Sequence, residues 1–284
     1  MAKILIVGCG DVGGRLAQQL VAAGHEVHGL RRSPFALPGV ASLQGDVTQP
    51  ESLRFPTGLD YVFVLLAPGT AGEEIYRRVY LEGTRNMLTA LQGQPLRRVF
   101  WISSSSVYAQ DDGSWVDEES PATATGTAGI LRQSEALVLE SAWPTTIVRF
   151  SGIYGPGRLR LLRWVQEGRP VQAEPVAWTN RIHREDAAGL LDFLLEKEST
   201  GEKLERLYLG TDNASAPQHD VLDWLADRLG QPRVPRESRP GAGSNKRLGN
   251  RRITELGFRF RFPDFRAGYE DVLANLSPDQ KARP

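Results

Sequence analysis

The sequence predicts an α/β fold, a doubly wound parallel sheet with a smaller C-terminal domain. Three observations carry that reading. Ile4-Leu5-Ile6-Val7 is a short, continuous apolar run, the pattern of a strand buried on both faces of a parallel sheet. Gly8-x-Gly10-x-x-Gly13 follows it at once, and Val12, Leu16, Ala17, Leu20 and Val21 then recur at helical spacing until Gly24, a residue suited to the position just past a helix end. Strand-like runs and helical segments then alternate along most of the chain.

The order strand, glycine turn, helix gives the motif its chemistry. Gly8 permits the tight turn, Gly10 lacks the Cβ that would block a pyrophosphate, and Gly13 lets the helix lie close to the strand. The helix N-terminus offers free N–H groups and a partial positive charge to the phosphates. The stretch therefore reads as the dinucleotide turn of a Rossmann fold, with Gly8, Gly10, Asp11, Val12 and Gly13 against the cofactor. Cys9, inside the turn, is read as a small residue tolerated there, with a reactive thiol as the alternative.

Bulk composition narrows the field. A chain of 284 residues is enough for one large α/β domain or a domain with a smaller companion. Lys+Arg and Asp+Glu are equal at 34 each, which gives no support to a nucleic-acid or membrane-surface partner. One cysteine excludes an intrachain disulfide and fits a reducing compartment. The first apolar run is cut short by the glycines, and the longest later one, Tyr61 to Pro68, falls far below the roughly 20 residues of a membrane helix. A soluble, cytoplasmic protein with a small-molecule substrate is the expectation.

Glu26 to Leu30 is the second expected strand. An acidic residue usually ends this strand to hold the ribose 2′-hydroxyl of NAD, but here the end is Arg31-Arg32-Ser33. Arginine suits a 2′-phosphate by charge and by its forked donors, so NADP(H) is favoured and NAD is the alternative. A third strand near Ala41–Gln44 leads to Asp46-Val47, which either holds the adenine or, through Asp46, caps the next turn. The fourth, Tyr61–Leu66, brings Leu66 and Ala67 beside the cofactor. A long helix follows over Glu73–Leu91.

Arg98–Ile102 is the fifth strand and delivers Ser103-Ser104-Ser105-Ser106-Val107-Tyr108 to its carboxyl end, where such sheets bind ligands; Ser103 is expected at the cofactor. A helix is expected over about Ala128–Ser141 and a sixth strand over Thr145–Phe150. The sheet regains a helix at Asp186–Glu196 and a strand at Leu207–Gly210; Gln218–Leu229 is a further helix, before a Pro/Gly/Arg-rich loop from Gln231 to Lys246 and a mixed tail. The expected organisation is a cofactor domain over 1–150 plus about 185–211, and a substrate-facing lid over 151–184 and 212–284. Asn180, Arg181 and the basic residues Arg149, Arg158 and Arg160 either bind an anionic substrate or form a solvated face. No metal-ligand cluster is visible.

Taken together these motifs resemble the extended short-chain dehydrogenase/reductase family, the NAD(P)-dependent epimerases and dehydratases. The resemblance covers nearly the whole chain. It rests on the glycine turn, Asp46-Val47, Gly83-Thr84, the serine strand through Tyr108, Arg149 to Gly157, and Ile182-His183-Arg184-Glu185-Asp186. It implies a catalytic group of tyrosine, lysine, serine and asparagine. Ser104 matches the serine. Aligned on Glu135, Thr127 stands where the tyrosine belongs and Leu131 where the lysine belongs, and Tyr80 takes the asparagine position. A threonine hydroxyl has too high a pKa to replace a poised phenol, and leucine has no charge to lower it. The chain is therefore an atypical member, with Ser104, Tyr108, Tyr154 and His183 as candidate substitutes. His183 has an interdomain hydrogen bond as its alternative role. Two function classes follow: an oxidoreductase or epimerase/dehydratase-like enzyme with a non-standard acid/base set, or a non-catalytic NADP(H)-binding sensor or regulator. Family members often pair through two helices, and Tyr76, Tyr80, Met87 and Leu137 suit either a homodimer surface or the core.

Overall fold

A run of four apolar residues with no polar alternation must be covered on both faces, and Ile4, Leu5, Ile6 and Val7 are each wholly buried. Burial of such a side chain contributes roughly 1.5–3 kcal/mol, which makes β1 (Lys3–Val7) the natural centre of a sheet. The computed structural model describes residues 1–70, 72–123, 125–238 and 245–277. Around β1 lie β2 (Glu26–Arg31), β3 (Val40–Gln44), β4 (Tyr61–Val64), β5 (Arg98–Ser104), β6 (Thr145–Phe150) and β7 (Leu207–Gly210). The seven strands take the order 3-2-1-4-5-6-7. The strand pairs from β3 across to β6 are parallel. Strand order therefore reverses between β1 and β4, the position at which a doubly wound sheet opens a crevice at its carboxyl edge.

The first helix spans Asp11–Ala22. Its end is fixed by Gly24 at φ +84°, with Gly24 N–H donating to Val21 O and His25 N–H to Leu20 O, both at 3.0 Å. These are the two closing bonds of a Schellman motif. The long helix expected over Glu73–Leu91 is present but changes pitch, with α-helix over Glu73–Tyr76 and Gly83–Ala90 and a π-helical stretch over Arg77–Glu82. Gly83 is there because a Cβ would meet Val47 Cγ2 at 2.7 Å. Tyr80 and Met87, weighed as dimer-surface residues, are buried in the core.

The described chain divides into two compact units, Met1–Val107 with Pro121–Phe150 and Ala187–Tyr208, and Tyr108–Ser120 with Ser151–Asp186 and Leu209–Pro284. Tyr108–Ser120, expected with the cofactor domain, clusters with the second unit. Its backbone is tied there: Gly113 N–H donates to Asn245 O at 2.8 Å, Gly249 N–H to Val116 O at 2.9 Å, and Leu209 N–H to Glu118 Oε1 at 2.9 Å.

The second unit is more regular than its sequence suggested. Gly152–Tyr154 pairs in parallel with Arg181–His183, and Val171–Glu174 with Arg236–Ser238. A short helix, Arg160–Gln166, lies in a stretch expected to be irregular. Its buried Leu161, Leu162 and Val165 share a core with Val221, Leu222 and Leu225 of helix Gln218–Leu229 and with Phe265, Tyr269 and Val272 of helix Phe265–Ala274. That last helix begins at Asp264, whose carboxylate accepts from Ala267 N–H at 2.9 Å. The expected loop from Gln231 to Lys246 includes residues 239–244, which lie outside the described residues. Among the described residues no helix is long and apolar enough to cross a membrane, and no group of three His, Cys, Asp or Glu is placed to hold a metal.

Candidate functional site

The glycine turn is built by close approach. Gly8 has φ +93°, and a Cβ on it would lie 2.2 Å from Leu65 O; a Cβ on Gly13 would lie 2.5 Å from Gly8 O. Gly10 differs, because a Cβ there would meet nothing nearer than Gly8 O at 4.0 Å. Gly8 and Gly13 are thus needed for packing, while Gly10 leaves open space in front of the turn. No side chain caps the helix that starts at Asp11.

That open space is a cavity of about 260 Å³ within the first unit, walled by the turn, the ends of β2 and β4, and Asp46-Val47. Of the expected cofactor residues it brings together Gly8, Gly10, Arg31, Arg32, Asp46, Val47, Leu66 and Ala67. Asp11, Val12, Gly13 and Ser103 are not on its wall; Val12 and Ser103 are buried, and Gly13 packs the helix onto β1. Sequence reasoning missed Ser33, Leu65 and Val79, which also line it. Ser33 directly follows the two arginines, and that adjacency was the available signal.

Arg31 and Arg32 are exposed at the end of β2, and Arg31 lies over the Phe35 ring at 5.3 Å. Neither forms an ion pair among the described residues, so both charges are available to a ligand. Asp46 lines the cavity, and its Oδ1 accepts from Thr48 N–H and Thr48 Oγ1 at 2.9 Å each, closing the turn that follows. Cys9 is 1% exposed, and burial pushes its thiol up to about 11, against a smaller pull downward from Arg31. The reactive-thiol alternative is excluded by that environment.

Tyr80, at the asparagine position, is a tether. Its hydroxyl donates to Leu66 O at 3.1 Å, and burial pushes the phenol far above its ordinary value. Ser104 is half-buried at the end of β5, where its Oγ accepts from Ser106 N–H at 3.1 Å and keeps its own proton to donate. Thr127 and Leu131 share one face of helix Gly126–Leu139, and Leu131 is buried.

Several expected site residues are corrected by their surroundings. Arg149, proposed for an anionic substrate, is buried in the first unit and gives a bidentate pair to Glu135. Tyr108 is wholly buried in the second unit, where its carbonyl accepts from the Lys246 amine at 2.7 Å. His183 is also wholly buried; it accepts from Glu185 N–H at Nδ1 and places Nε2 3.4 Å from Asp271 Oδ2, both within the second unit. Neither Tyr108 nor His183 lines either cavity described here.

The second unit carries its own cavity, of about 600 Å³. Arg158, Arg160, Arg163, Arg169 and Arg181 line it against a single carboxylate, Glu167, which lies 3.7 Å from Arg169. Tyr154 and Asn180 line it too. Burial pushes the Tyr154 phenol far above its ordinary value, which disqualifies it as a proton donor poised near neutrality. Asn180 is a structural clamp, with Nδ2 donating to Lys246 O and Oδ1 accepting from Leu248 N–H and Ser215 Oγ. Tyr269, from the C-terminal helix, lines the cavity and was not anticipated, because the tail showed no clear helical pattern.

Comparison with known proteins agrees with this geometry. A family model described as NAD(P)H-binding matches residues 8–198. The Escherichia coli K12 protein YeeZ is 26% identical over 93% of this chain and 97% of its own. A Methylobacillus flagellatus structure, assigned to the NAD-dependent epimerase/dehydratases, is 42% identical, covers 96% of this chain and 98% of its own, and has a TM-score of 0.82. The fold is also that of the Thermus thermophilus UDP-glucose 4-epimerase, solved as a complex with NAD, at 18% identity, 96% and 98% coverage and a TM-score of 0.78. This chain belongs to the NAD(P)H-binding family, among the epimerase/dehydratase-like members of the extended short-chain dehydrogenase/reductases.

Proposed function

We propose that the chain is an NADP(H)-dependent oxidoreductase or epimerase/dehydratase-like enzyme, acting on a small anionic substrate of the nucleotide-sugar type through a non-standard acid/base set. The observation that carries it is the first unit's cavity, where the open face of Gly10 meets Arg31, Arg32 and Ser33 at the reversal of strand order. The residues fit the cofactor. Gly10 leaves room for a pyrophosphate, and the two exposed guanidiniums of Arg31 and Arg32 with the Ser33 hydroxyl are the charge-assisted donors that suit a 2′-phosphate. When bound, the nicotinamide supplies hydride transfer.

The chain's own residues supply the rest. We assign Asp46 and Val47 to the adenine, and Tyr80 fixes the carbonyl of Leu66, another residue of the cavity wall. Ser104 is the hydroxyl we assign to the reacting oxygen, because its Oγ accepts from the Ser106 N–H and its own proton remains a donor. Five arginines against one glutamate in the second unit's cavity support an anionic substrate.

Turnover with NADPH or NADP⁺ and a panel of nucleotide sugars, followed by cofactor absorbance and product analysis, tests the reading. Ser104→Ala is expected to lower kcat at least about 100-fold, the scale of a lost acid/base contribution, with cofactor binding unchanged. Equal turnover by Ser104→Ala contradicts the serine's role. A cofactor-loaded protein inert toward every nucleotide sugar contradicts the substrate class.

A further inference from the structure

Two walls of the first unit's cavity are held from one helix. Val47 follows β3 and Leu66 follows β4, and both line the cavity. Asn86 Nδ2 donates to Val47 O at 2.8 Å, and Gly83 packs so close that a Cβ on it would meet Val47 Cγ2 at 2.7 Å. Tyr80 donates its hydroxyl to Leu66 O at 3.1 Å, and Val79, the preceding residue, lines the cavity itself.

The helix changes pitch where the two grips meet. In an α-helix three residues fall about 60° short of a full turn, so Tyr80 would lie near the Gly83 face. The π-helical turn over Arg77–Glu82 advances less per residue and swings Tyr80 further from that face, to the Leu66 carbonyl. The buried Thr84 hydroxyl donates back to Tyr80 O and anchors the widened turn. Such turns recur at functional sites. Tyr80 is 9% exposed, and burial, with the Tyr76 phenol beside it, keeps its proton on, so the bond to Leu66 persists across the working pH range.

We propose that Tyr80 is a positioning residue for the cofactor, acting through the Leu66 carbonyl, and that this helix sets the spacing between the Val47 and Leu66 walls. The inference rests on the reading that the cavity takes the adenosine half of a dinucleotide. A gap fixed by one bridge has a distinctive energetic signature. Release of either wall frees the spacing, and release of the second adds little. The effects of loosening the two walls are therefore coupled rather than additive. They also fall on the part of the nucleotide that NADPH and NADH share, unlike a loss at Arg31 or Arg32.

Calorimetric titration of the full chain with NADPH, NADH and ADP-ribose tests this. Tyr80→Phe keeps the ring and removes only the donor; it is expected to weaken all three about fivefold, the scale of one hydrogen bond. Asn86→Ala is expected to do the same, and the double variant to stay within about twofold of the weaker single one. A purely structural tether predicts a lower ligand-free Tm with unchanged affinities, and that result overturns the proposal. Losses that multiply to about 25-fold in the double variant overturn it too, as does a loss confined to NADPH. Should Asn86→Ala not fold, the Tyr80→Phe titrations still decide, since equal affinity for ADP-ribose in wild type and variant overturns the role of Tyr80. Unchanged variants beside a wild type that binds all three count against this inference alone. A wild type that binds none of them contradicts the cofactor reading, and this inference with it.

Discussion

Arg149 grips Glu135 through two hydrogen bonds, Nε to Oε1 at 2.9 Å and Nη2 to Oε2 at 2.7 Å, in the core of the first unit. Burial by itself would raise the Glu135 carboxyl; the Arg149 fork, with Arg132 also on Oε2, holds it below the usual range. Removing one partner of a buried pair strands the other charge, at about 3–5 kcal/mol. Arg149→Met is expected to lose stability on that scale in urea unfolding at neutral pH, and Glu135→Leu combined with Arg149→Met to regain much of it. Because the folded carboxyl lies below its unfolded value of about 4.3, the pair's contribution is complete above that value and is lost as pH falls through the folded one.

This pair also marks a limit of sequence reading. In the sequence Glu135 reads as an alignment anchor and Arg149 as a substrate arginine, but their meeting depends on a helix packing across a strand. The glycine turn was legible because its physics is local: strand, turn and helix are consecutive, and each glycine answers to a neighbour a few residues away. His183 and Asp186 were visible only as a motif. Their partners, Asp271 for one and the Arg261 and Phe262 N–H groups for the other, come from a tail whose helix is amphipathic over only ten residues. The five-arginine cavity was half legible, since charge shows in a sequence and the burial of Arg181 does not.

The three glycines of the turn are expected to separate by substitution. Gly13→Ala must displace the Gly8 carbonyl, and should lower Tm by several degrees whether or not cofactor is present. Gly10→Ala meets no close atom, so its Tm without ligand should stay within about 2 °C of wild type while cofactor affinity falls at least tenfold. Circular dichroism melts with and without nucleotide read both.

Cys9 is expected to be silent. With its thiol pushed up to about 11, roughly one molecule in a thousand carries thiolate at pH 8. An aromatic disulfide reagent should therefore modify the folded protein far more slowly than the urea-unfolded chain. Equal rates would place the thiol at the surface.

Arg32→Ala, and more so the double Arg31→Ala/Arg32→Ala, should weaken NADPH binding by about 1.5–3 kcal/mol per lost charge-assisted contact. NADH binding should change less than about threefold. Direct titration of both cofactors gives the ratio, and an equal loss for the two would show that the arginines act on the shared part of the nucleotide.

The central claim is a dinucleotide cradle selective for the 2′-phosphate, and a thermal-shift titration with NADPH, NADP⁺, NADH and NAD⁺ tests it most directly. A ligand at about 100 times its Kd adds roughly 2.7 kcal/mol, and each kcal/mol raises the midpoint by about 2–4 °C at this size. The account predicts a rise of several degrees with the phosphorylated pair and a clearly smaller one with NADH and NAD⁺. A larger rise with the unphosphorylated pair would contradict the assignment of Arg31 and Arg32, and no rise with any of the four would contradict the cradle itself.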